Sequence, residues 1–300
     1  MDGSDGSFCY NDSMSAWWKR LAITVIVVPA VALLVTECVM RAAGFGYAPR
    51  LLLRQTLFGR AAWVINMKAG ARYLGEAFGR GPLFQAVPAE KGSNTVRIVV
   101  FGESAVKGEV YSAVAVPAQL EVMVRSALPG CEVQVVNAGM PAINAWAVRD
   151  FARECRAIQP DVYVLYTGNN EFIGPYGAGR RGMLAYWPPL IRARMWLASL
   201  RLFQLAHRVA ERGGPPSTPW EGMAACAQRQ TSPDDPTLSL VVRNYEDNMR
   251  AIVTEARAHG IEAVVCTLAA QARGWPPFAS RTRSATTGAV YATWAAAYDE

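Results

Sequence analysis

Ser104, Gly139 and Asn170 each follow shortly after a run rich in β-branched and aromatic residues. A serine hydroxyl on a tight turn can attack an ester carbonyl, and a backbone N–H beside a glycine can approach the oxyanion that forms. A side-chain amide supplies another fixed donor for the same oxyanion. If the three residues meet at one place, they are the parts that acyl-ester chemistry requires.

The runs before these residues predict buried strands that end at glycine or at a polar turn. The four predicted strands are 96–101, 132–137, 161–167 and 261–268. The segments with helical spacing are 117–128, 144–158 and 240–259. Strands alternating with helices favour a parallel sheet covered on both faces, with functional groups at the carboxyl ends of the strands. We therefore predict an α/β fold, a flavodoxin-like three-layer α/β/α sandwich, with Ser104, Gly139 and Asn170 on one rim.

The segments around these three residues resemble the SGNH (GDSL-type) hydrolase superfamily. FGESAVKG is similar to its first sequence block, NAGM to its second and GNNEF to its third, and the likeness extends over residues 95–278. The resemblance implies that Ser104 is the nucleophile and that its own N–H binds the oxyanion. It also implies a second donor from Gly139 and a third from the side chain of Asn170. No metal and no cofactor are implied, and the substrate would be an ester-bearing small molecule, lipid or glycan.

Two departures from the family pattern concern the catalytic acid and base. Glu103 stands where the family has Asp, and the last block, D-x-x-H, which supplies the catalytic His and its orienting Asp, is absent. The two histidines of the chain are His207 and His259. His259 ends the helix before the fourth predicted strand, so we expect it at the edge of the sheet opposite the rim. No Asp precedes His207 at the family spacing.

The missing base leaves two interpretations open. The family places D-x-x-H after a helical insertion, and Tyr291–Glu300 looks like the opening of such a helix, so the chain is a fragment or a shortened reading frame. Alternatively, it is a natural variant that has lost catalysis. We expect weak or absent esterase activity in both cases, because losing the histidine of a serine hydrolase costs on the order of a million-fold in kcat. The alternative function is a non-catalytic, membrane-anchored binding or scaffold protein that keeps the hydrolase fold.

Three further segments resemble one subgroup of the superfamily. They are GESA at 102–105, NNEFIGPYG at 169–177 and PPFAS at 276–280. In that subgroup a membrane anchor precedes the hydrolase domain, and tetratricopeptide-type helices are inserted late. The resemblance implies the same arrangement here.

Residues 17–40 form the predicted membrane anchor, after a polar tail at residues 1–16. The uncharged run Leu21–Thr36 follows two tryptophans, and the whole segment has the length of a spanning helix. Paired tryptophans are typical of the headgroup level of a bilayer. A cleaved signal peptide is less consistent with the segment, since no small-residue cleavage site follows it. A buried helix of a soluble protein is the other alternative.

The orientation of this anchor is not fixed by its flanking charges. Lys19 and Arg20 precede the span, and four arginines follow it within twenty residues, which slightly favours a cytoplasmic C-terminal side. Large downstream domains often translocate regardless of such counts. We expect a single-pass membrane protein whose catalytic domain lies outside the cytoplasm.

Residues 41–94 are predicted as an amphipathic and linker region before the hydrolase-like domain at 95–300. The stretch from Tyr47 to about Phe84 is apolar but interrupted by arginines, which favours an amphipathic helix on a membrane surface or, preferably, packed on the main domain. Gln85–Asn94 contains Pro and Gly and is predicted as the domain boundary.

The composition excludes several classes of protein. With 300 residues, 52% of them hydrophobic, and a net charge of +6, the chain is neither disordered nor collagen-like. No dense Lys/Arg run indicates nucleic acid as a partner. The six cysteines form no C-x-x-C pair. Glu103, Glu109 and Glu171 have no neighbouring histidine, which makes hydrogen-bonded or solvated carboxylates a better interpretation than a metal site.

Overall fold

The structure of this protein is a computed structural model that describes part of the chain. The described residues are 17–18, 20–21, 23–76, 80–178, 183–212, 231–269 and 288–299. The chain divides into two units. One contains Met1–Tyr47 and Leu197–Pro216, and the other contains Ala48–Trp196 and Ser217–Glu300.

Seven strands and nine α-helices are found in the described residues. The strands are β1 Leu52–Leu57, β2 Arg60–Ile65, β3 Ala86–Pro88, β4 Thr95–Gly102, β5 Glu132–Gly139, β6 Val162–Tyr166 and β7 Glu262–Val265. The helices are α1 Val28–Ala42, α2 Ala71–Leu74, α3 Ser104–Lys107, α4 Val116–Ala127, α5 Ala145–Cys155, α6 Pro188–Leu197, α7 Arg201–Arg212, α8 Thr237–Ala258 and α9 Gly288–Asp299. Strands β4 to β7 and helices α4, α5 and α8 match the seven predicted segments, although β7 is shorter than its prediction.

The second unit is built on a four-stranded parallel sheet in the order β5-β4-β6-β7. Strand β5 lies on one side of β4, and β6, which comes later in the chain, lies on the other side of β4. This is the flavodoxin-like order, and it makes the carboxyl ends of β4 and β6 the switch point at which ligands bind in open α/β sheets. The predicted fold class is therefore confirmed.

Helices cover both faces of this sheet because successive residues of a buried strand point to opposite sides. Phe101 of β4 belongs to the core that contains Phe151 of α5 and Ile252 of α8. Val100, the residue before it, packs in a second core with Leu120 of α4. The result is the three-layer α/β/α sandwich.

The prediction of an amphipathic helix between Tyr47 and Phe84 is wrong. Strands β1, β2 and β3 form an antiparallel sheet there. The two residues between β1 and β2, Phe58 and Gly59, have φ values of 50° and 78°, and two positive values in succession are typical of the tight turn of a hairpin. Leu52 and Ile65 are buried in the same core as α5, so the segment packs on the main domain, as expected.

The first unit contains the apolar N-terminal helix. A π-helical turn, Ile23–Val27, leads directly into α1, and the 20 residues to Ala42 are long and apolar enough to cross a membrane. A signal sequence and a buried core helix meet the same criteria, although almost none of this helix is buried.

Helix α7 begins against Glu37 of this N-terminal helix. The two carboxylate oxygens of Glu37 accept hydrogen bonds from the backbone N–H groups of Arg201 and Leu202, each at 2.9 Å. The first N–H groups of a helix have no partner within it, so the side chain of one helix caps the other.

Other predicted features lie partly outside the described residues. The polar tail at 1–16 and the PPFAS segment at 276–280 are outside them. Helix α9 covers residues 291–299 of the helix expected from Tyr291 onward, and the late tetratricopeptide-type insertion stays a prediction.

Candidate active site

The turn from β4 into α3 brings Ser104 to the start of a helix at the switch point. Gly102 ends β4, Glu103 is the residue before the helix, and Ser104 is its first residue. A Cβ atom at Gly102 would collide with the Tyr166 carbonyl oxygen and the Val106 side chain. Only glycine therefore allows β4 to pass so close to β6 and then turn.

Glu103 links this turn to the loop that follows β6. Its side chain is wholly buried, and its Oε1 accepts hydrogen bonds from the Thr167 hydroxyl at 2.6 Å and the Gly168 N–H at 3.0 Å. Burial raises the pKa of Glu103, and these hydrogen bonds partly oppose that effect. Oε2 is also buried and has no hydrogen-bond partner among the described residues. The link joins the two sides of the switch point directly behind Ser104.

Gly139 lies at the end of β5, level with Gly102 in the sheet register. A Cβ atom at Gly139 would collide with the Lys107 nitrogen, so the end of β5 packs directly against α3. Asn137 holds this contact, because its amide donates to the carbonyls of Val106 and Lys107 at 3.2 and 3.3 Å. The Gly139 N–H donates to the Asn137 Oδ1 at 2.9 Å. The predicted oxyanion donor is therefore occupied by a neighbouring side chain in this structure.

Asn170 lies in the turn after β6, four residues beyond the strand, and is half-buried. Its carbonyl accepts a hydrogen bond from the Gly174 N–H at 2.6 Å, which tightens the turn. The next residue, Glu171, is buried and accepts a hydrogen bond from the Ala145 N–H at the start of α5 at 2.7 Å.

Burial raises the pKa of Glu171 to about 8. The Ala145 N–H lowers this pKa, whereas the charge of Glu103 raises it further. Glu103 and Glu171 are thus two buried carboxyl groups under the rim.

All three predicted site residues follow strands that end at the same edge of the sheet. Gly102 pairs with Gly139 on one side and with Tyr166 on the other, and Ser104 and Asn170 lie two and four residues beyond this level. Their roles in catalysis stay a prediction.

His259 does not lie at this edge of the second unit. His259 follows α8 and precedes β7, so it lies at the amino edge, as predicted. Its Nδ1 lies 2.8 Å from the Glu255 carbonyl oxygen and its Nε2 lies 3.1 Å from Arg156 Nη1, which assigns the ring proton to Nδ1. His207 lies on α7, in the first unit.

The sequence did not reveal the structural roles of Glu103, Asn137 and Glu171. The position of Glu103, between the glycine that ends β4 and the candidate nucleophile, could have indicated its role. Asn137 lies two residues before Gly139, and Glu171 follows Asn170 directly.

No group of three or more His, Cys, Asp or Glu in the described part of the chain could hold a metal ion.

Comparison with known proteins gives similarity to solved structures only. No protein-family model matches the chain, and no curated protein matches it. One similar structure is TesA, at 15% identity and a TM-score of 0.30; the match covers 56% of this chain and 58% of TesA. Another is AlinE4, an SGNH-hydrolase family esterase, at 17% identity and a TM-score of 0.26; the match covers 58% of this chain and 77% of that one. A third is a lipase/acylhydrolase from Enterococcus faecalis, at 19% identity and a TM-score of 0.26; the match covers 56% of this chain and 74% of that one.

Proposed function

We propose that the second unit is an SGNH-type serine hydrolase domain that acts on an ester bond, with Ser104 as the nucleophile. The observation that carries the proposal is the Glu103 link across the switch point. It joins the turn that contains Ser104 to Thr167 and Gly168, at the start of the loop that contains Asn170, and so supports this proposal. A nucleophile and an oxyanion donor need this kind of fixed relation, because catalysis depends on donors that are already in place when charge develops.

In the proposed reaction the Ser104 oxygen attacks the ester carbonyl, and the hydroxyl proton passes to a base. The bond to the leaving alkoxide then breaks as the base returns the proton to it, and water hydrolyses the acyl-serine to the free acid and the Ser104 hydroxyl. The Ser104 N–H opens α3, so no carbonyl of that helix accepts from it, and it is the first oxyanion donor. The Asn170 amide is another. The Gly139 N–H can contribute only when the Asn137 side chain releases it.

The sequence block that supplies the catalytic base in the family is absent from this chain. A serine hydroxyl needs an acceptor at hydrogen-bond distance to become nucleophilic at neutral pH. His259 is engaged at the opposite edge, and no Asp precedes His207 at the spacing of the family's last block. We therefore propose slow hydrolysis that depends on the oxyanion donors, which alone leave an acceleration of roughly a thousand- to ten-thousand-fold over water.

The second candidate function is a membrane-anchored binding or scaffold protein that keeps the hydrolase fold. The specific observation in its favour is the internal hydrogen bond of the Gly139 N–H, which satisfies a donor that an active enzyme would use.

Hydrolysis of p-nitrophenyl acetate by the full chain in detergent micelles tests the two candidates. The hydrolase proposal predicts slow turnover above the buffer rate that is lost in Ser104→Ala and falls by about a hundred-fold or more in Asn170→Ala. Ser112→Ala, an exposed serine eight residues further along, is the matched control and keeps the rate. Equal turnover in Ser104→Ala would favour the scaffold. Loss of turnover in His207→Ala or His259→Ala, with folding intact, would show that a histidine is the base.

We also propose that residues 17–40 anchor the protein in a membrane and that the hydrolase domain lies outside the cytoplasm. The length and apolar composition of the N-terminal helix support the anchor. The full chain is then expected to stay in the membrane pellet through an alkaline wash, and its release into the supernatant would contradict the proposal. Protease treatment of intact cells tests the orientation, since a cytoplasmic domain would be protected.

A further inference from the structure

Helix α7 packs within the first unit through its polar side chains. Gln204 is buried, and its Oε1 accepts a hydrogen bond from the Tyr47 N–H at 3.1 Å. Its Nε2 donates to the Ala198 carbonyl at 3.2 Å. The Arg208 guanidinium lies 4.9 Å from the centroid of the Phe45 ring. The polar side of α7 is therefore turned inward, onto the residues that follow the apolar N-terminal helix.

The apolar side of α7 faces outward. Leu205 and Val209 are 38% and 57% exposed, and they share one face of the helix because they lie four residues apart. Ala206, beside them, is exposed as well. An amphipathic helix on the surface of a water-soluble domain has the opposite arrangement, with its apolar stripe against the core and its polar side chains in water. The inverted arrangement of α7 indicates that Leu205 and Val209 contact an apolar phase.

The contacts of α7 determine its level along the proposed anchor. The anchor begins at Trp17, and twenty helical residues cover about 30 Å, which is the thickness of the hydrocarbon core of a bilayer. Glu37 therefore comes at the far edge of that core. Glu37 caps the first turn of α7, and Arg208 contacts Phe45, just beyond the end of the N-terminal helix. Leu205 consequently lies between the levels of Glu37 and Phe45.

The charges at this level suit the boundary between acyl chains and headgroups. Glu37 pairs with Arg41 at 2.7 Å and also accepts the N–H groups at the start of α7, so its negative charge is engaged within the protein. Arg201 and Arg208 bring further positive charge to the same end of the helix pair. Long basic side chains at such a depth keep their stems among apolar groups and extend their charges to the headgroups. The arginines thus complement the phosphates of a lipid surface.

We propose that the face of α7 formed by Leu205, Ala206 and Val209 inserts into the boundary between the acyl chains and headgroups of the membrane that holds the anchor. The proposal rests on the proposed anchor and adds an interfacial helix to its single span. Lipid is the occupant that also covers the apolar helix of the same unit, of which almost nothing is buried. An interfacial helix buries its apolar face about 5–10 Å into this boundary. A second contact of this kind fixes the rotation of the unit about the N-terminal helix, which a single span leaves free.

Photo-cross-linking of the full chain in vesicles of phosphatidylcholine and phosphatidylglycerol tests the proposal. Val209→p-benzoylphenylalanine should form a covalent adduct with lipid, which mass spectrometry of the protein detects. His207→p-benzoylphenylalanine is the matched control, since position 207 is exposed on the same helix. Residues two apart point to nearly opposite sides of a helix, so the yield of lipid adduct should be about five-fold or more higher at position 209 than at 207. Equal yields at the two positions would contradict the assignment of the face.

A probe in the N-terminal helix separates this proposal from that of the anchor. Val31 is exposed there, and Val31→p-benzoylphenylalanine should also give a lipid adduct. An adduct at Val31 with none at Val209 would overturn the insertion of α7 and leave the anchor standing. Absence of an adduct at Val31 would overturn the anchor and, with it, the insertion.

The cross-linked product at Val209 also identifies the occupant of the face. A protein–protein adduct in place of the lipid adduct would mean that a second copy of the chain covers α7, which would overturn the proposal. Leu205→p-benzoylphenylalanine probes the same face from a second exposed position and should give the same lipid adduct. A lipid adduct at only one of these two positions would contradict insertion of the whole face.

Discussion

Glu171→Gln removes the carboxyl group whose pKa is raised to about 8 from an ordinary value of 4.5, chiefly by burial. The folded protein holds this proton up to about pH 8, whereas the unfolded chain releases it near pH 4.5. Because the folded state binds more protons between these values, the free energy of unfolding falls as pH rises through this interval. The glutamine remains neutral at every pH and keeps an acceptor for the Ala145 N–H.

The size of the effect follows from about 1.4 kcal/mol for each pH unit of pKa difference. The pKa difference of Glu171 lowers the stability of the wild type by about 4 kcal/mol at pH 8 and by about 3 kcal/mol at pH 7, relative to its stability below pH 4. Glu171→Gln should lack this loss, so the variant should be close to the wild type at pH 4 and clearly more stable at pH 8.

Urea unfolding of the full chain in detergent micelles, followed by tryptophan fluorescence from pH 4 to pH 8, measures this difference. Glu121→Gln is the control, since Glu121 pairs with Arg125 on the surface of α4, and its removal should leave the pH profile of the wild type unchanged. A difference between Glu171→Gln and wild type that does not grow with pH would refute the assignment of a buried neutral carboxyl.

Three substitutions test the packing around the site by the same unfolding measurement. Gly139→Ala forces a methyl group against the Lys107 nitrogen and should cost about 1–3 kcal/mol; a neutral effect would mean that α3 and β5 can separate freely. Asn66→Ala removes hydrogen bonds to two backbone carbonyls and one N–H of the hairpin region and should cost about 1–3 kcal/mol. An unchanged free energy of unfolding would mean that water replaces these hydrogen bonds. Phe151→Ala empties the centre of the main core and should cost about 3–5 kcal/mol, and a smaller loss would show that the core refills.

The sequence predicted the elements that depend on local patterns. Strands β4 to β6 are short β-branched runs that end at glycine or a polar turn, so their ends and the rim followed from the alternation with helices. The place of His259 followed from the same topology. The sequence did not indicate the hairpin because Phe58 occupies a left-handed position that usually belongs to glycine or asparagine. In addition, the arginines of the hairpin segment resembled the polar face of a helix.

Other features could not be predicted because they depend on contacts between distant parts of the chain. Glu103 and Thr167 are 64 residues apart, and Glu37 and Arg201 are 164 residues apart. Nothing in the local sequence of Glu103 distinguishes a buried acceptor from a solvated carboxylate. The occupation of the Gly139 N–H by Asn137 is local, but it depends on a side-chain rotamer rather than on spacing.

The cap that Glu37 provides for α7 has a consequence for preparing this protein without detergent. Removing the apolar N-terminal helix to obtain a water-soluble form also removes Glu37. It leaves the N–H groups of Arg201 and Leu202 without their acceptors at the start of a helix more than 150 residues away. Such a shortened protein would lose about 1–2 kcal/mol at that helix terminus. Serine or aspartate in place of Leu200, the residue before α7, would supply a local cap and restore it.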